Sequence, residues 1–386
     1  MTDANKADYI LYGMQASLYT GKARAYMRRN RIPVTERGAG HPDYMGKIYP
    51  HMNRFIMPVI VAPDGEIIQD GTDILDYLEG QGLGHEPLYP EDPVLRAVAH
   101  IFELFGNEGL LRPAMHYRWN FDEENLAFLK VSFADVFPAH MDAAGRAAMF
   151  DHASGRMRKA AKAFGVFPET YAKIEASYGE FLSLLNAHLK ETYYVLGDRP
   201  TIADYGLFNP LYAHLARDPK PAHLMKTTAP YVWNWVERMN RPERLQEHTM
   251  DNPPTGLFTA DALPESLKNL MRYISEEYQA EFTAHVAFAE NWLTNQKDTS
   301  EDDKKSGLGR GLGFAAFNWR GQEVSTVVML YRFYLAQRLW DHHDDSSVAE
   351  QRAIRSLFSG ADLEGLLDSR PSHRVIRIDF HEVWAA

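Results

Sequence analysis

Leu11-Tyr12-Gly13-Met14-Gln15-Ala16-Ser17-Leu18-Tyr19-Thr20-Gly21-Lys22-Ala23-Arg24 is the stretch on which the reading of the first third of the chain turns. Its apolar start, Tyr9 to Tyr12, reads as a short strand. Gly13 to Thr20 is turn-like, and from Lys22 to Ile32 the residues Ala23, Tyr26 and Met27 recur on one helical face. Pro33 ends that helix. Downstream, a polar region rich in Gly, His and Pro precedes Phe55 to Ala62, a β-rich run broken by Pro58. Pro63-Asp64-Gly65 reads as a tight hairpin turn with Glu66 to Gln69 as the returning strand. Ile74, Tyr77 and Leu78 then mark an amphipathic helix ending near Gly80. The order β-α-β-β-α predicts a small α/β domain over residues 1–84.

From Pro93 the pattern becomes helical. His100 to Leu111, Tyr178 to Leu189, Ile202 to Leu215 and Pro230 to Met239 carry apolar residues three and four apart. Thr201-Ile202-Ala203-Asp204, directly after Pro200, has the spacing of a capping box. These features predict an all-α domain over 93–250, joined by a linker around Gly84 to Asp92. The breaker cluster Asn252-Pro253-Pro254-Thr255-Gly256 marks a second boundary. A mainly helical extension with a few short strands is expected over 254–386. It has a long helix through Leu267, Leu270, Met271, Ile274 and Phe282, and a charged loop from Asn295 to Gly307. A hairpin is expected around Arg320-Gly321, then a helix from Tyr331 to Trp340. In the last segment Ile376, Ile378 and Phe380 alternate with Arg377, Asp379 and His381, the pattern of a strand that buries its apolar side.

The 386 residues are 45% hydrophobic and 24% charged, as in ordinary soluble globular proteins. A formal net charge of −11 argues against nucleic acid as a partner, because phosphate binding needs clustered Lys and Arg. There is no cysteine, which excludes disulfides, thiolate metal sites and a catalytic thiol. Any sulfur chemistry must use a thiol brought by a ligand. Met1 to Asp8 is polar and lacks the apolar core of a secretory signal, and no run approaches the ~20 apolar residues that cross a bilayer. A cytoplasmic protein without membrane contact is expected.

Four segments, in order, resemble the cytosolic glutathione S-transferase family. They are Leu11 to Arg24, Met57-Pro58-Val59-Ile60, Ile68 to Leu78, and Leu196-Gly197-Asp198-Arg199-Pro200-Thr201-Ile202-Ala203-Asp204. The resemblance spans about Asp8 to Arg241 and implies a thioredoxin-like first domain, a helical second domain, glutathione as co-substrate, no metal, and a homodimer as one assembly. It places Ser17 where serine-type members carry the catalytic hydroxyl, with Tyr12 as the alternative and Tyr19 as a third. It makes Met57-Pro58 the cis-proline turn whose backbone pairs with the cysteinyl part of glutathione. Asp70, Gly71 and Thr72 fall at the turn that holds the γ-glutamyl group. Gly71 stands where the family usually has serine, and no lysine precedes Pro58.

The chemistry asked of Ser17 is modest. A thiol with a pKa of ~8.5 is mostly protonated at neutral pH, and lowering it by ~2 units takes about 2.7 kcal/mol. A hydroxyl donor together with the positive end of a helix can supply that. Otherwise Ser17 caps the helix that follows. A small apolar electrophile is expected between the domains, against Asn107 to Trp119. Arg112, His116 and Tyr117 read there as pocket residues, or else as part of a helix with a buried aromatic stripe and solvated charges. The run Gly307 to Gly313 follows no strand and reads as a loop. Asp341-His342-His343-Asp344-Asp345 reads as a solvated helix end rather than a metal site.

Overall fold

The computed structural model describes residues 8–138, 140–243, 250, 252–295 and 311–385. The elements are β1 (Tyr9–Tyr12), α1 (Thr20–Arg29), β2 (Val34–Arg37), a π-helical turn (Tyr44–Ile48) running into α2 (Tyr49–Met52), β3 (Val59–Val61), β4 (Ile67–Gln69) and α3 (Gly71–Gly80). They form a four-stranded sheet in the order β2-β1-β3-β4, with β1 parallel to β2 and antiparallel to β3. Period-two alternation sorts its faces. Leu11 and Ile60 join Ala23, Tyr26, Ile74 and Leu78 under α1 and α3, while Tyr12 and Val59 meet Tyr44, Ile48 and Met52 on the other side. This is the thioredoxin-like arrangement that the resemblance implied.

Three local expectations shift. The helix begins at Thr20 and ends at Arg29, because Arg31 takes a left-handed φ of 52° before Pro33. The Phe55–Ala62 run contributes only Val59–Val61 to the sheet. β2 was not foreseen, since Val34-Thr35-Glu36-Arg37 lacks an apolar run. It is an edge strand, and Arg24 Nε reaches Glu36 at 2.7 Å, so an edge can carry such polar residues.

The helical domain comprises α4 (Pro93–Leu104), a π-helical turn (Phe105–Gly109), α5 (Leu111–Trp119), α6 (Asp122–Ser132), α7 (Ala143–Ala163), α8 (Pro168–Glu191), α9 (Ile202–Pro210), a π-helical turn (Leu211–Ala216), α10 (Pro219–Thr228) and α11 (Pro230–Met239). Asp92 caps α4 by accepting from the Val94 and Leu95 amides at 2.8 and 3.0 Å. Asp204 closes the box at the start of α9, accepting from the Thr201 amide at 3.0 Å. Its other oxygen takes the Val195 amide at 2.9 Å and Trp235 Nε1 at 3.1 Å. The turn after α4 crosses α9 at two glycines. A Cβ on Gly106 would lie 2.4 Å from the Gly206 carbonyl carbon, so no side chain fits there.

The extension holds α12 (Glu265–Ile274), a π-helical turn (Ser275–Gln279), α13 (Ala280–Asn295), β5 (Gly311–Trp319), β6 (Gln322–Met329), α14 (Leu330–Asp345), α15 (Val348–Ser359), α16 (Glu364–Asp368), β7 (Val375–Ile378) and β8 (His381–Trp384). Residues 296–310, which hold most of the expected charged loop and the start of the glycine run, lie outside the described residues; Gly311 and Gly313 are in β5. The extension has its apolar side chains in the same cluster as the first two domains. Leu267, Tyr273, Phe282, Phe333 and Val375 share one buried cluster with Leu11, Phe102 and Phe181. The β5–β6 hairpin turns at Arg320-Gly321, both with positive φ, as a two-residue turn requires.

The last segment corrects an expectation. It is a two-stranded hairpin, turning at Asp379-Phe380, and of its expected apolar side Ile376 and Ile378 face outward while Phe380 is partly buried against the first domain. Ile376 is 38% and Ile378 49% exposed, whereas only 12% of the Arg377 side chain is. Arg377 turns inward because two carboxylates await it on α3.

Candidate functional site

The β1–β3 register sets Tyr12 opposite Val59, so the loop leaving β1 passes beside Met57-Pro58. The Met57–Pro58 peptide is cis. Met14 and Ala16 pack with Met115 and Trp119 of α5, and Met57 lies against the same cluster. Ser17 is half-buried on this loop. Its amide donates to the Met14 carbonyl at 3.1 Å and its carbonyl accepts from Thr20 at 3.3 Å. The residue capping α1 is Tyr19, with no side-chain cap bond, and the Lys22 amide is instead received by Asn209 Oδ1 from α9 at 2.8 Å. Ser17 therefore does not serve as the helix cap. Tyr12 is buried, its ring 5.6 Å from that of Tyr44 and its hydroxyl 3.5 Å from Arg37 Nη1, in the manner of a core aromatic. Beside the loop, Gly13, Met14, Gln15, Glu36 and Gly38 line a shallow open cleft of about 310 Å³.

The loop is clamped from behind by a residue of α5. Arg118 donates to the Ala16 carbonyl at 2.7 Å, to the Ala213 carbonyl at 2.7 Å, and with Nε and Nη2 to Asp218 at 2.7 and 2.9 Å. Burial pushes the Asp218 carboxyl up, and Arg118 works against that shift. From sequence, Arg118 is only one residue within the Asn107 to Trp119 segment. Its link to Ala16 joins residues 102 apart and has no local signal.

At the start of α3, Asp70 is buried in a left-handed conformation (φ 74°) and accepts from the Thr72 amide at 2.8 Å. Gly71 leaves little room: a Cβ there would lie 3.2 Å from the Tyr19 carbonyl and 3.4 Å from Lys22 Cδ. Thr72, considered as a donor to the γ-glutamyl group, is buried and committed. Its hydroxyl donates to Glu103 Oε1 at 2.9 Å and accepts from Lys22 Nζ at 2.7 Å. Lys22 also meets Glu103 at 2.5 Å. Burial opposes the Glu103 charge, yet Lys22 and His100 overcome it and hold that carboxyl at about 2.

The extension reaches this same point. Arg377 Nη2 meets Asp70 Oδ2 at 2.5 Å, Nη1 bonds Asp73, and Nε donates to Glu382 at 3.0 Å. Tyr331 donates to Asp70 at 3.0 Å and Tyr334 to Asp73 at 3.0 Å. Burial and the neighbouring Asp70 charge raise the Asp73 carboxyl, while Arg377 lowers it. Gln69 Nε2 donates to the Phe380 carbonyl at 2.8 Å, and Arg54 bonds both that carbonyl and Glu382.

Arg112, His116 and Tyr117 all engage packing partners. Arg112 pairs with Glu277 at 3.2 Å and Glu281 at 2.5 Å, under the Trp319 ring at 4.5 Å. His116 Nε2 lies 3.0 Å from Glu175 and its ring 4.7 Å from that of Tyr171. Tyr117 stacks on Phe121 at 5.5 Å and meets Tyr178 at 5.3 Å. The partners of Arg112 lie in the extension, whereas those of His116 and Tyr117 lie in α8 and at Phe121. The residues of α5 on the Ser17 side are Met115, Arg118 and Trp119. Asp341 pairs with Arg374 at 2.6 Å and His342 with the Pro93 carbonyl at 2.7 Å. Among the described residues no group of three or more His, Asp or Glu is placed to hold a metal ion, and no helix is long and apolar enough to cross a membrane.

Residues 11–83 match the family described as glutathione S-transferase, N-terminal domain, and residues 168–238 the family described as glutathione S-transferase, C-terminal domain. No curated protein sequence matches the chain. Among solved structures it is similar to a glutathione transferase from Phanerochaete chrysosporium, with 15% identity, 63% of this chain and 100% of that one covered, and a TM-score of 0.45. It is also similar to the beta-etherase LigF from Sphingobium, with 19% identity, 61% and 95% covered, and a TM-score of 0.43. A third is a glutathione S-transferase with glutathione bound, from Methylobacillus flagellatus, with 17% identity, 60% and 93% covered, and a TM-score of 0.35. Residues 11–83 and 168–238 thus carry matches to the two domains of the glutathione S-transferase family, and the chain continues into an extension that neither match covers.

Proposed function

We propose that this protein is a glutathione transferase that holds the glutathione sulfur beside Ser17 and directs it at a small apolar electrophile. One observation carries the reading. Among the described residues, no hydrogen bond engages either the Ser17 hydroxyl or the Met57 backbone N–H and C=O, although the Ser17 loop is held by Arg118 at Ala16 and Met14 and Met57 pack in one cluster. A cysteinyl backbone pairing with Met57 like an added strand brings its sulfur toward Ser17. The hydroxyl then donates to the thiolate, and the open end of α1 adds its positive dipole. The sulfur attacks the electrophile, its electron pair forming the new C–S bond while the leaving group departs with the electrons of the bond that breaks. Met14, Met115 and Trp119 supply apolar surface next to that position.

Calorimetric titration with glutathione tests the reading, followed by conjugation assays on a panel of apolar electrophiles. Saturable binding and turnover that collapses in Ser17→Ala are expected. Absence of binding by the wild type and by a variant with the Asp70 pocket opened would end it. A competing reading, a non-catalytic scaffold whose extension is the working surface, draws on the extension's hold on Asp70. Thiol transfer that depends on Ser17 excludes it.

A further inference from the structure

We infer that the β7–β8 hairpin is a built-in competitor of glutathione, with Arg377 seated in the amine-accepting pocket of Asp70 and Asp73. The inference rests on the glutathione reading above and adds to it a regulation of the same site. A γ-glutamyl group presents an ammonium, and the acidic start of α3 is the place for it. That place is taken. Asp70 receives the Thr72 amide and Tyr331 on one oxygen and Arg377 on the other, and Asp73 receives Tyr334 and Arg377. The guanidinium also lies 4.3 Å from the Tyr334 ring centroid. Arg377 is thus a cation bound where the ligand's cation belongs.

The hairpin is built to let go at its tip and stay fixed at its base. At the base, Val375 is buried and exchanges hydrogen bonds with Gln337 at 2.6 and 3.0 Å, and Trp384 stacks on Phe333 at 5.8 Å. Toward the tip the contacts to the first domain are mainly polar, through Arg377, Arg54 and Gln69, with the Phe380 ring partly buried 5.3 Å from that of His51, while Ile376 and Ile378 face outward. A ligand ammonium that takes the place of the guanidinium keeps both carboxylates paired, so the exchange leaves no buried charge without a partner. The turn itself is strained. Asp379 and Phe380 hold φ of 47° and 66°, a region that a bulky residue such as phenylalanine rarely occupies. Gln69 and Arg54 hold the Phe380 carbonyl in that conformation.

The test uses the full-length protein, glutathione titration and amide hydrogen exchange. Arg377→Ala is expected to tighten glutathione binding on the order of tenfold, because the fraction of molecules with an open pocket rises. Arg377→Lys, which keeps a cation in the pocket, is expected to bind as weakly as the wild type. In the unmutated protein, saturating glutathione is expected to speed exchange across residues 375–384. Equal or weaker binding by Arg377→Ala overturns the inference and leaves the glutathione reading standing. So does unchanged exchange over 375–384 in wild type saturated with glutathione, a result that holds even if the variant folds poorly. No binding by wild type or Arg377→Ala sinks the glutathione reading, and the inference with it.

Discussion

At Ser17 the chain leaves a hydroxyl half-exposed between two fixed points, the Met14 carbonyl that takes its amide and the Ala16 carbonyl held by Arg118. If that hydroxyl stabilises a thiolate, Ser17→Ala returns the bound thiol pKa toward ~8.5. Turnover should then fall about 10²-fold, as when one donor to a developing anion is lost. The thiolate absorbance of bound glutathione against pH checks the first, and steady-state kinetics the second. Stability should stay within about 0.5 kcal/mol, since the side chain makes no bond inside the protein. Arg118 is the opposite case. Arg118→Ala strands the buried Asp218 carboxylate, and a loss of about 3–5 kcal/mol in urea unfolding is expected. Equal stability of wild type and Arg118→Ala would show that the clamp contributes nothing. The loop position of Ser17, just ahead of α1, was legible because it is a local pattern. Arg118 and Arg377 were not, because their partners are distant in sequence and local spacing encodes no such pair.

The π-helical turn between α4 and α5 carries Glu108, whose nearest charge is Arg332 of α14 at 3.3 Å. Burial drives this carboxyl up to about 7, and Arg332 offsets only part of the shift. Burial also lifts Asp204, at the start of α9, to about 6. Unfolded glutamate titrates near ~4.3, so between that value and about 7 the native state holds more protons than the unfolded chain. The stability these carboxyls contribute therefore falls as pH rises through this window. The Glu108 share is on the order of 3 kcal/mol, fully present below ~4.3 and gone above about 7. His188, His214 and His285, which burial holds below the usual histidine range, add stability as pH rises toward ~6.5, so the Glu108 part is read as a difference: Glu108→Gln should gain on the wild type in urea midpoint as pH rises from 5 to 8. An unaltered slope in Glu108→Gln would assign the effect elsewhere. Elements with a strong period or a cap were legible from sequence: α1, α3, α8, α9 and the β5–β6 hairpin. β2 and the Tyr44–Met52 helical stretch were not. One is an edge strand of polar residues, and the other is held mainly by tertiary contacts through Tyr44, Ile48 and Met52.

Across the whole molecule the extension completes a core shared with the other two domains. Phe181 and Tyr273 meet at 5.4 Å across the α8–α12 contact, and Arg112 finds both of its carboxylates, Glu277 and Glu281, in the extension. Glu108 in turn depends on Arg332. Deleting residues 253–386 would bare apolar surface and leave these charges buried or newly exposed without partners. The shortened protein is expected to aggregate, as read by soluble yield and light scattering, and a soluble core of undiminished stability would contradict this. Taken alone, the residues of this chain determined the order of its α/β and helical parts, the place of Ser17 and the turn at Pro58. Those features rest on period, caps and breakers that act within a few residues. Only the tertiary structure decided that α5 serves the Ser17 loop through Arg118 and Met115, and that a charged residue of the last hairpin turns inward onto Asp70. A buried charge goes where its counter-charge is, and that choice is made by packing between segments hundreds of residues apart.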